Sequence, residues 1–270
     1  MNWIRRLQLP PERPVSLKSL DPDDDLGFKD RTEAESLLQT NLGRLEELQY
    51  RLFAEGRRSL LVILQAMDAA GKDGAIRKVF SAFNPQGCRV TPFKAPTAEE
   101  LAHDFLWRIH RAAPAQGEVA VFNRSHYEDV LAVRVLGLAP KAVWSRRYEQ
   151  INRFESLLME NGTTVVKLFL HISKDEQRQR LEARLEDPAR RWKFSRADLE
   201  ARRYWKNYQT AYEEVFRRCG PSAAPWYVIP ANRKWVRNVA ISSLLVQVLE
   251  ELKIRMPEPR ENLMGITRVE

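Results

Sequence analysis

The residues best placed to do chemistry are Lys72 and the small and acidic residues around it, in the run Ala66-Met67-Asp68-Ala69-Ala70-Gly71-Lys72-Asp73-Gly74. An apolar run, Leu60-Leu61-Val62-Ile63-Leu64, precedes it, and Ile76, Val79, Phe80 and Phe83 follow at the spacing of one helix face. Strand, small-residue loop, Gly-Lys, helix is the order of a phosphate-binding loop. Ala69, Ala70, Gly71, Lys72, Asp73 and Gly74 are therefore the expected phosphate cradle. Small residues let the backbone curl and aim its N–H groups inward. The helix start adds free N–H groups and the positive end of its dipole, and Lys72 adds a full charge at the phosphate being transferred. Two positions depart from G-x-x-x-x-G-K-[ST]: Ala66 stands at the first glycine, and Asp73 replaces the hydroxyl that touches magnesium. Asp68 inside the cradle would repel phosphate unless a cation lay between, so Asp68 and Asp73 point to bound Mg²⁺, with Mn²⁺ as the substitute ion.

A second constellation follows the apolar run Val119-Ala120-Val121-Phe122: Asn123, Arg124, Ser125, His126, Tyr127, Glu128 and Asp129. A second acidic strand tip anchors magnesium in phosphate-loop enzymes. Here Arg124 suits phosphoryl oxygens, and Glu128 and Asp129 are candidate metal ligands, directly or through water. His126 is expected to be structural. A third feature is a basic stretch from Arg178 to Arg203 that includes Arg180, Arg184, Arg190, Arg191 and Lys193, broken at Asp187-Pro188. It reads either as a lid closing over phosphates, at about 174–215, or as a solvated charged face whose arginines pair with Glu182, Glu186 and Asp187. Phe93 and Lys94, after a second strand, are candidates to touch a nucleotide, with Phe93 equally suited to the core. Lys29 is a further candidate for phosphate.

The elements that must position these groups alternate regularly. A long amphipathic helix spans Asp30 to Glu55 and ends at Gly56, and a second strand covers Cys88 to Phe93. Thr97 and Glu100 form a capping box for a helix running through Phe105, Leu106, Trp107 and Ile109. Helices are expected over Lys141–Asn161 and Val236–Lys253, with strands at Thr163–Ile172 and Trp226–Pro230. Residues 1–28 read as an irregular arm. The simplest architecture is one α/β domain over 1–270 with a mostly parallel sheet and a helical lid.

Composition narrows the partners. Forty-four Lys and Arg against 36 Asp and Glu give a net charge of +8, which favours a polyanion. Cys88 and Cys219 match no metal spacing and suit reduced thiols in a cytoplasmic protein. No apolar leader and no membrane-length run is expected.

Taken together, AMDAAGKDG, NPQG followed by FKAPT, HDFLWRIHR, FNRSHYEDV, FLHISKDEQ and RRWKFSRADL resemble the polyphosphate kinase 2 family, from about Gly27 to Pro257. FNRSHYEDV most resembles the class that phosphorylates both AMP and ADP. The resemblance implies a three-layer P-loop kinase-like fold with a helical lid. It implies Mg²⁺-dependent phosphoryl transfer between inorganic polyphosphate and AMP or ADP, giving ADP and ATP. Asp68 and Lys72 would then work with the metal, with Arg124 as the third catalytic residue. Arg190, Arg191 and Lys193 would bind phosphate, and the chain would form a dimer or tetramer. Other classes carry aspartate where this chain has Asn123, which shifts weight to Glu128 or Asp129 as ligand. Two rivals are an ATP-dependent nucleoside monophosphate kinase and a non-catalytic nucleic-acid binder. Asp68 argues against the second, and neither nucleic acid nor membrane is an expected partner.

Overall fold

The apolar run before the loop forms β1 (Ser59–Ala66), which is buried at every position. A strand with neighbours on both sides and helices on both faces has no wet side, so its sequence runs continuously apolar instead of alternating. The other strands are β2 (Cys88–Pro92), β3 (Val119–Asn123), β4 (Thr163–His171) and β5 (Trp226–Pro230). The computed structural model describes residues 1–11, 13–189, 191–221, 223–259 and 261, and of Lys193 and Ala197 the backbone alone. It sets the strands in the order β2-β3-β1-β4-β5, with every ladder parallel. Parallel neighbours require crossover connections, and helices supply them, among them Lys72–Val79, Lys141–Glu160 and Trp205–Arg218. The expected α/β fold with a mostly parallel sheet is what forms. All five strands point the same way, so their C-terminal ends open together, and the loop after β1 and the tip of β3 meet there.

Helix Arg31–Glu55 is capped as its sequence dictates. The Asp30 side chain accepts from the Glu33 backbone N–H, and Gly56 closes the helix at φ +62°. The Thr97–Glu100 capping box also forms, but the helix it opens ends at Leu101. Asp104 then starts a new turn: its side chain accepts from the Leu106 N–H at 2.9 Å and its carbonyl from the Trp107 N–H at 3.1 Å. The result is a separate helix, Trp107–Ala112, in place of the single helix that the spacing suggests.

The arm is more ordered than its prolines imply. It carries a short helix, Trp3–Leu7, and an antiparallel bridge from Gln8 to Tyr227, while the Leu9 N–H donates to the Trp226 carbonyl at 2.8 Å. The open edge of β5 is thereby covered, as sheet edges usually are. Trp3, Leu7, Leu9, Leu17 and Leu26 join the same core as the strands. Among the described residues no helix is long and apolar enough to cross a membrane.

Candidate active site

Between β1 and helix Lys72–Val79 the chain turns twice through the left-handed region, at Ala69 (φ +63°) and at Gly71 (φ +100°), the helix N-cap. Ala66 shows why the first glycine is dispensable. It still belongs to β1, in register with Leu170, so no special backbone angle is needed there. The Lys72 side chain folds back over the loop, with Nζ 3.3 Å from the Ala66 carbonyl, and is almost fully buried. Burial lowers its pKa and the Arg124 charge lowers it further, opposed by Asp68, Glu128 and Asp73.

The tip of β3 lies beside the loop because Asn123 registers with Leu64. Arg124 takes a left-handed conformation (φ +64°), and its N–H donates to the Leu64 carbonyl at 3.1 Å. For a non-glycine residue this conformation costs about 1–2 kcal/mol, a strain that tends to collect at functional sites. The turn aims the side chain back at the loop, where Nη2 donates to Asp68 Oδ1 at 2.8 Å. Burial alone would lower the Arg124 pKa, but Glu128 and Asp68 outweigh it and hold it above its ordinary value. Asn123 Nδ2 donates to Asp73 Oδ1 at 2.9 Å. Burial raises the Glu128 carboxyl above the usual range, against the pull of Arg124 and Lys72. With its amide nitrogen turned toward Glu128 Oε1, at 3.1 Å, Gln65 also accepts from Ser125. Tyr208 and Tyr212, on helix Trp205–Arg218, lie close enough to feel these charges. Burial, together with Glu128 and Asp68, pushes Tyr208 up to about 12 and Tyr212 well above its ordinary value.

The structure thus brings Asp68, Lys72, Asp73, Asn123, Arg124 and Glu128 together. Asp129 points elsewhere: Arg147 Nη1 donates to its Oδ1 at 2.8 Å, and the charges that act on it are Arg147, Arg108 and His126. Phe93 is buried edge-on against Phe122 at 4.9 Å, with the Arg108 guanidinium 5.5 Å above its ring. Its ring therefore serves the core, the other reading of this residue. Lys94 is exposed, and its carbonyl accepts from Arg108 at 2.9 Å. Lys29 is exposed beside helix Arg31–Glu55, its N–H donating to Glu33. In the basic stretch Arg184 reaches Asp198 at 3.6 Å, and Arg191 Nε donates to the Leu185 carbonyl at 2.9 Å. Arg190 lies outside the described residues, and so does the side chain of Lys193.

Among the described residues no three His, Cys, Asp or Glu side chains form a cluster able to hold a metal ion unaided. The donor set still fits magnesium. Asp68, Asp73 and Glu128 offer hard oxygens around one lysine, and Mg²⁺ is commonly held by one or two carboxylates, water and the substrate's own phosphates.

Three supporting devices were not visible as such in the sequence. Arg180, present in the basic stretch, is a clamp. Its Nη1 donates to the carbonyls of Ala69 (3.1 Å) and Ala70 (2.9 Å), its Nη2 to those of Ala231 and Asn232, and its Nε to Glu176. Buried Gln177, one helical step away, donates to the Asp68 carbonyl at 3.0 Å. Beneath the β3 tip, Lys167 Nζ donates to Glu155 Oε2 at 2.7 Å, and Glu155 Oε1 accepts from the Tyr127 hydroxyl at 2.7 Å. His126 Nε2 lies 3.2 Å from the same oxygen, which gives this histidine the structural place expected of it. A cation inside an apolar strand (Lys167 in TTVVKLFLHI) was the one signal of that network.

Comparison with known proteins agrees with this geometry. The family model described as Polyphosphate kinase 2 matches residues 28–257. A protein named AMP/ADP-polyphosphate phosphotransferase from Meiothermus ruber is 52% identical over 258 residues, covering 95% of this chain and 96% of that one. An ADP-polyphosphate phosphotransferase from Rhodopseudomonas palustris is 46% identical, over 86% of this chain and 84% of its own. The crystal structure of Polyphosphate Kinase 2 from Arthrobacter aurescens superposes with a TM-score of 0.93 at 47% identity, covering 97% of this chain and 94% of that one. With the phosphate loop, the β3 tip and nearly the full length of the chain in agreement, this protein belongs to the polyphosphate kinase 2 family.

Proposed function

We propose that this enzyme moves the terminal phosphoryl group of inorganic polyphosphate to AMP and to ADP, giving ADP and ATP. The observation that carries the reading is the Asp68–Arg124 ion pair at 2.8 Å across the phosphate loop, beside buried Lys72. A carboxylate inside a phosphate cradle is tolerable while a guanidinium neutralises it, and would be free to hold a metal ion if that guanidinium turned to a phosphate. The activities named for the Meiothermus ruber and Rhodopseudomonas palustris proteins support the same reaction.

The donor's terminal phosphates lie on the backbone N–H groups from Ala69 to Gly74, with Lys72 on the transferred group. Arg124 leaves Asp68 for the acceptor's terminal phosphate and holds it opposite. Magnesium, when bound by Asp68 with Asp73 or Glu128 and the phosphates, supplies charge neutralisation between the two chains. An acceptor phosphate oxygen forms the new P–O bond as the donor's bridging P–O bond breaks, and the electron pair leaves with the shortened polyphosphate. That oxygen is already ionised, so no general base is needed. Positioning and electrostatics account for the catalysis, and the buried place of His126 is consistent with that. The stretch at about 174–215 acts as the lid, with Arg184, Arg190, Arg191 and Lys193 bearing on the phosphates when it closes. We also place the enzyme in the cytoplasm, where its nucleotide substrates and its free thiols fit, as a homo-oligomer that light scattering would size.

The test is incubation with AMP, Mg²⁺ and long-chain polyphosphate without ATP, followed by nucleotide separation. ADP and then ATP are expected. No product from polyphosphate, but ADP once ATP is added, would replace the donor and leave the fold assignment standing.

A further inference from the structure

Arg237 lies on helix Lys234–Glu251 and is only 3% exposed. Buried guanidinium groups are ordinarily matched by a carboxylate. This one has none among the described residues: its Nε and Nη2 donate to Asn238 Oδ1, at 3.1 and 2.8 Å, and the charge that acts on it is another cation, Arg180. Burial, with Arg180 adding to it, lowers the Arg237 pKa to about 10.

Its position is equally specific. A Cβ on Gly71 would collide with Arg237 Nη1 and would lie 3.5 Å from Arg180 Nη1. A Cβ on Gly74 would lie 3.2 Å from Arg237 Nη2. Two guanidinium groups therefore press on the loop at the glycines that open helix Lys72–Val79. Glu176 and four carbonyls occupy Arg180. Arg237 keeps an uncompensated charge at the edge of an anion cradle.

We propose that Arg237 forms a subsite at the Gly71–Gly74 edge of the phosphate loop that binds an inner phosphate of the polyphosphate donor, and so selects polyphosphate over a nucleoside triphosphate as donor. A nucleoside triphosphate ends its charge at the third phosphate and continues as an uncharged ribose. Polyphosphate continues with a charge on every phosphate. A buried guanidinium beside the loop is matched by the second and left unmatched by the first. This assignment deepens the functional reading above and rests on it.

The test compares wild type, Arg237→Gln and Arg237→Lys, using long-chain polyphosphate alone as the binding probe over a salt series, then donor and AMP kinetics. One lost ionic contact should reduce the slope of log K against log salt by about 0.7–0.9. For Arg237→Gln the donor KM should rise about tenfold with the AMP KM unchanged, and Arg237→Lys should restore the slope and most of the donor KM. A wild-type slope and donor KM in Arg237→Gln would overturn the subsite. If Arg237→Gln does not fold, Arg237→Met, which also removes the charge, is read in its place. A wild-type slope with a donor KM raised less than that of AMP supports nothing but a structural prop and overturns the subsite; a donor-only rise supports it. Binding is read without turnover. A wild type that binds polyphosphate but transfers nothing would therefore overturn the functional reading, while the slope still judges the subsite.

Discussion

Replacing Arg180 with methionine should damage both stability and turnover, because one side chain holds two chain segments in place. Its guanidinium ties the carbonyls of Ala69 and Ala70, in the phosphate loop, to those of Ala231 and Asn232, after β5, and also pairs with Glu176 at 2.6 Å. The side chain is about one-tenth exposed. Hydrogen bonds from a charged donor contribute about 1.5–3 kcal/mol each, but these share one group, so they do not add. Removing one partner of a buried ion pair costs about 3–5 kcal/mol. We expect the lower half of that range, since water reaches part of the vacated space. At about 2–4 °C per kcal/mol in domains of this size, Tm should fall by roughly 6–16 °C. The loop carbonyls that Arg180 holds lie in the same peptides as the N–H groups proposed to bind phosphate, so kcat should fall about 10²-fold even well below Tm. Calorimetry and initial rates at 20 °C with saturating AMP and polyphosphate measure both effects. Arg180→Lys should fall between, keeping the charge but losing the fork. A methionine variant within 2 °C and twofold of wild type would refute the clamp.

Lys72→Ala should lose about 10²–10³-fold or more in kcat with circular dichroism unchanged; full activity would remove the phosphate-loop assignment. Asn123→Asp would set a second carboxylate near Asp73, now 2.9 Å from the Asn123 amide. The metal-free protein should lose stability, and added Mg²⁺ should restore it more than in wild type, measured as Tm with EDTA and with Mg²⁺. Glu128, raised by burial, contributes stability below the unfolded carboxylate pKa that is lost as pH rises through its folded value. In metal-free buffer Glu128→Gln should therefore flatten the fall in Tm from mildly acidic to neutral pH, and an unchanged slope would contradict the burial. Asp129→Asn should lower Tm by breaking the contact with Arg147 while leaving the Mg²⁺ midpoint of turnover unmoved.

How much of this was legible in the sequence follows from how local each feature is. β1, the loop and the helix after it occupy one continuous stretch, and the chemistry of a phosphate loop is mostly backbone N–H groups plus one lysine, so the order of residue types is nearly the structure. The β3 tip was legible for the same reason, although its geometry was not. Asn123 donates to Asp73 and Arg124 to Asp68 across 50 and 56 residues of sequence. The clamp was hidden because Arg180 is 111 residues from Ala69 and looks like any member of a basic run. Arg237 was hidden in a mostly apolar helix. Asp129 was drawn in by proximity to Glu128 but faces Arg147, and Phe93, equally suited to nucleotide or core, packs on Phe122. The over-long helix after Thr97 failed because a capping box marks only a beginning, and Asp104 restarts the chain.

The charges around Lys72 counter one another. Lys72 is buried and next to Arg124, so burial and a like charge both oppose its proton, and Asp68, Glu128 and Asp73 counter them. Those carboxylates would repel an arriving polyphosphate if they stood alone. Arg124 and Asn123 therefore hold two of them, Asp68 and Asp73, through contacts of 2.8 and 2.9 Å. In the proposed reaction, phosphate chains and a divalent ion entering together would exchange each partner: guanidinium for acceptor phosphate, carboxylate for metal. Since no proton has to move, the site needs accurate placement of fixed charge more than a tuned acid or base. That fits the way Arg180, Gln177 and the Lys167–Glu155 network brace the loop and the β3 tip, while Arg124 and Asn123 hold Asp68 and Asp73 beside Lys72.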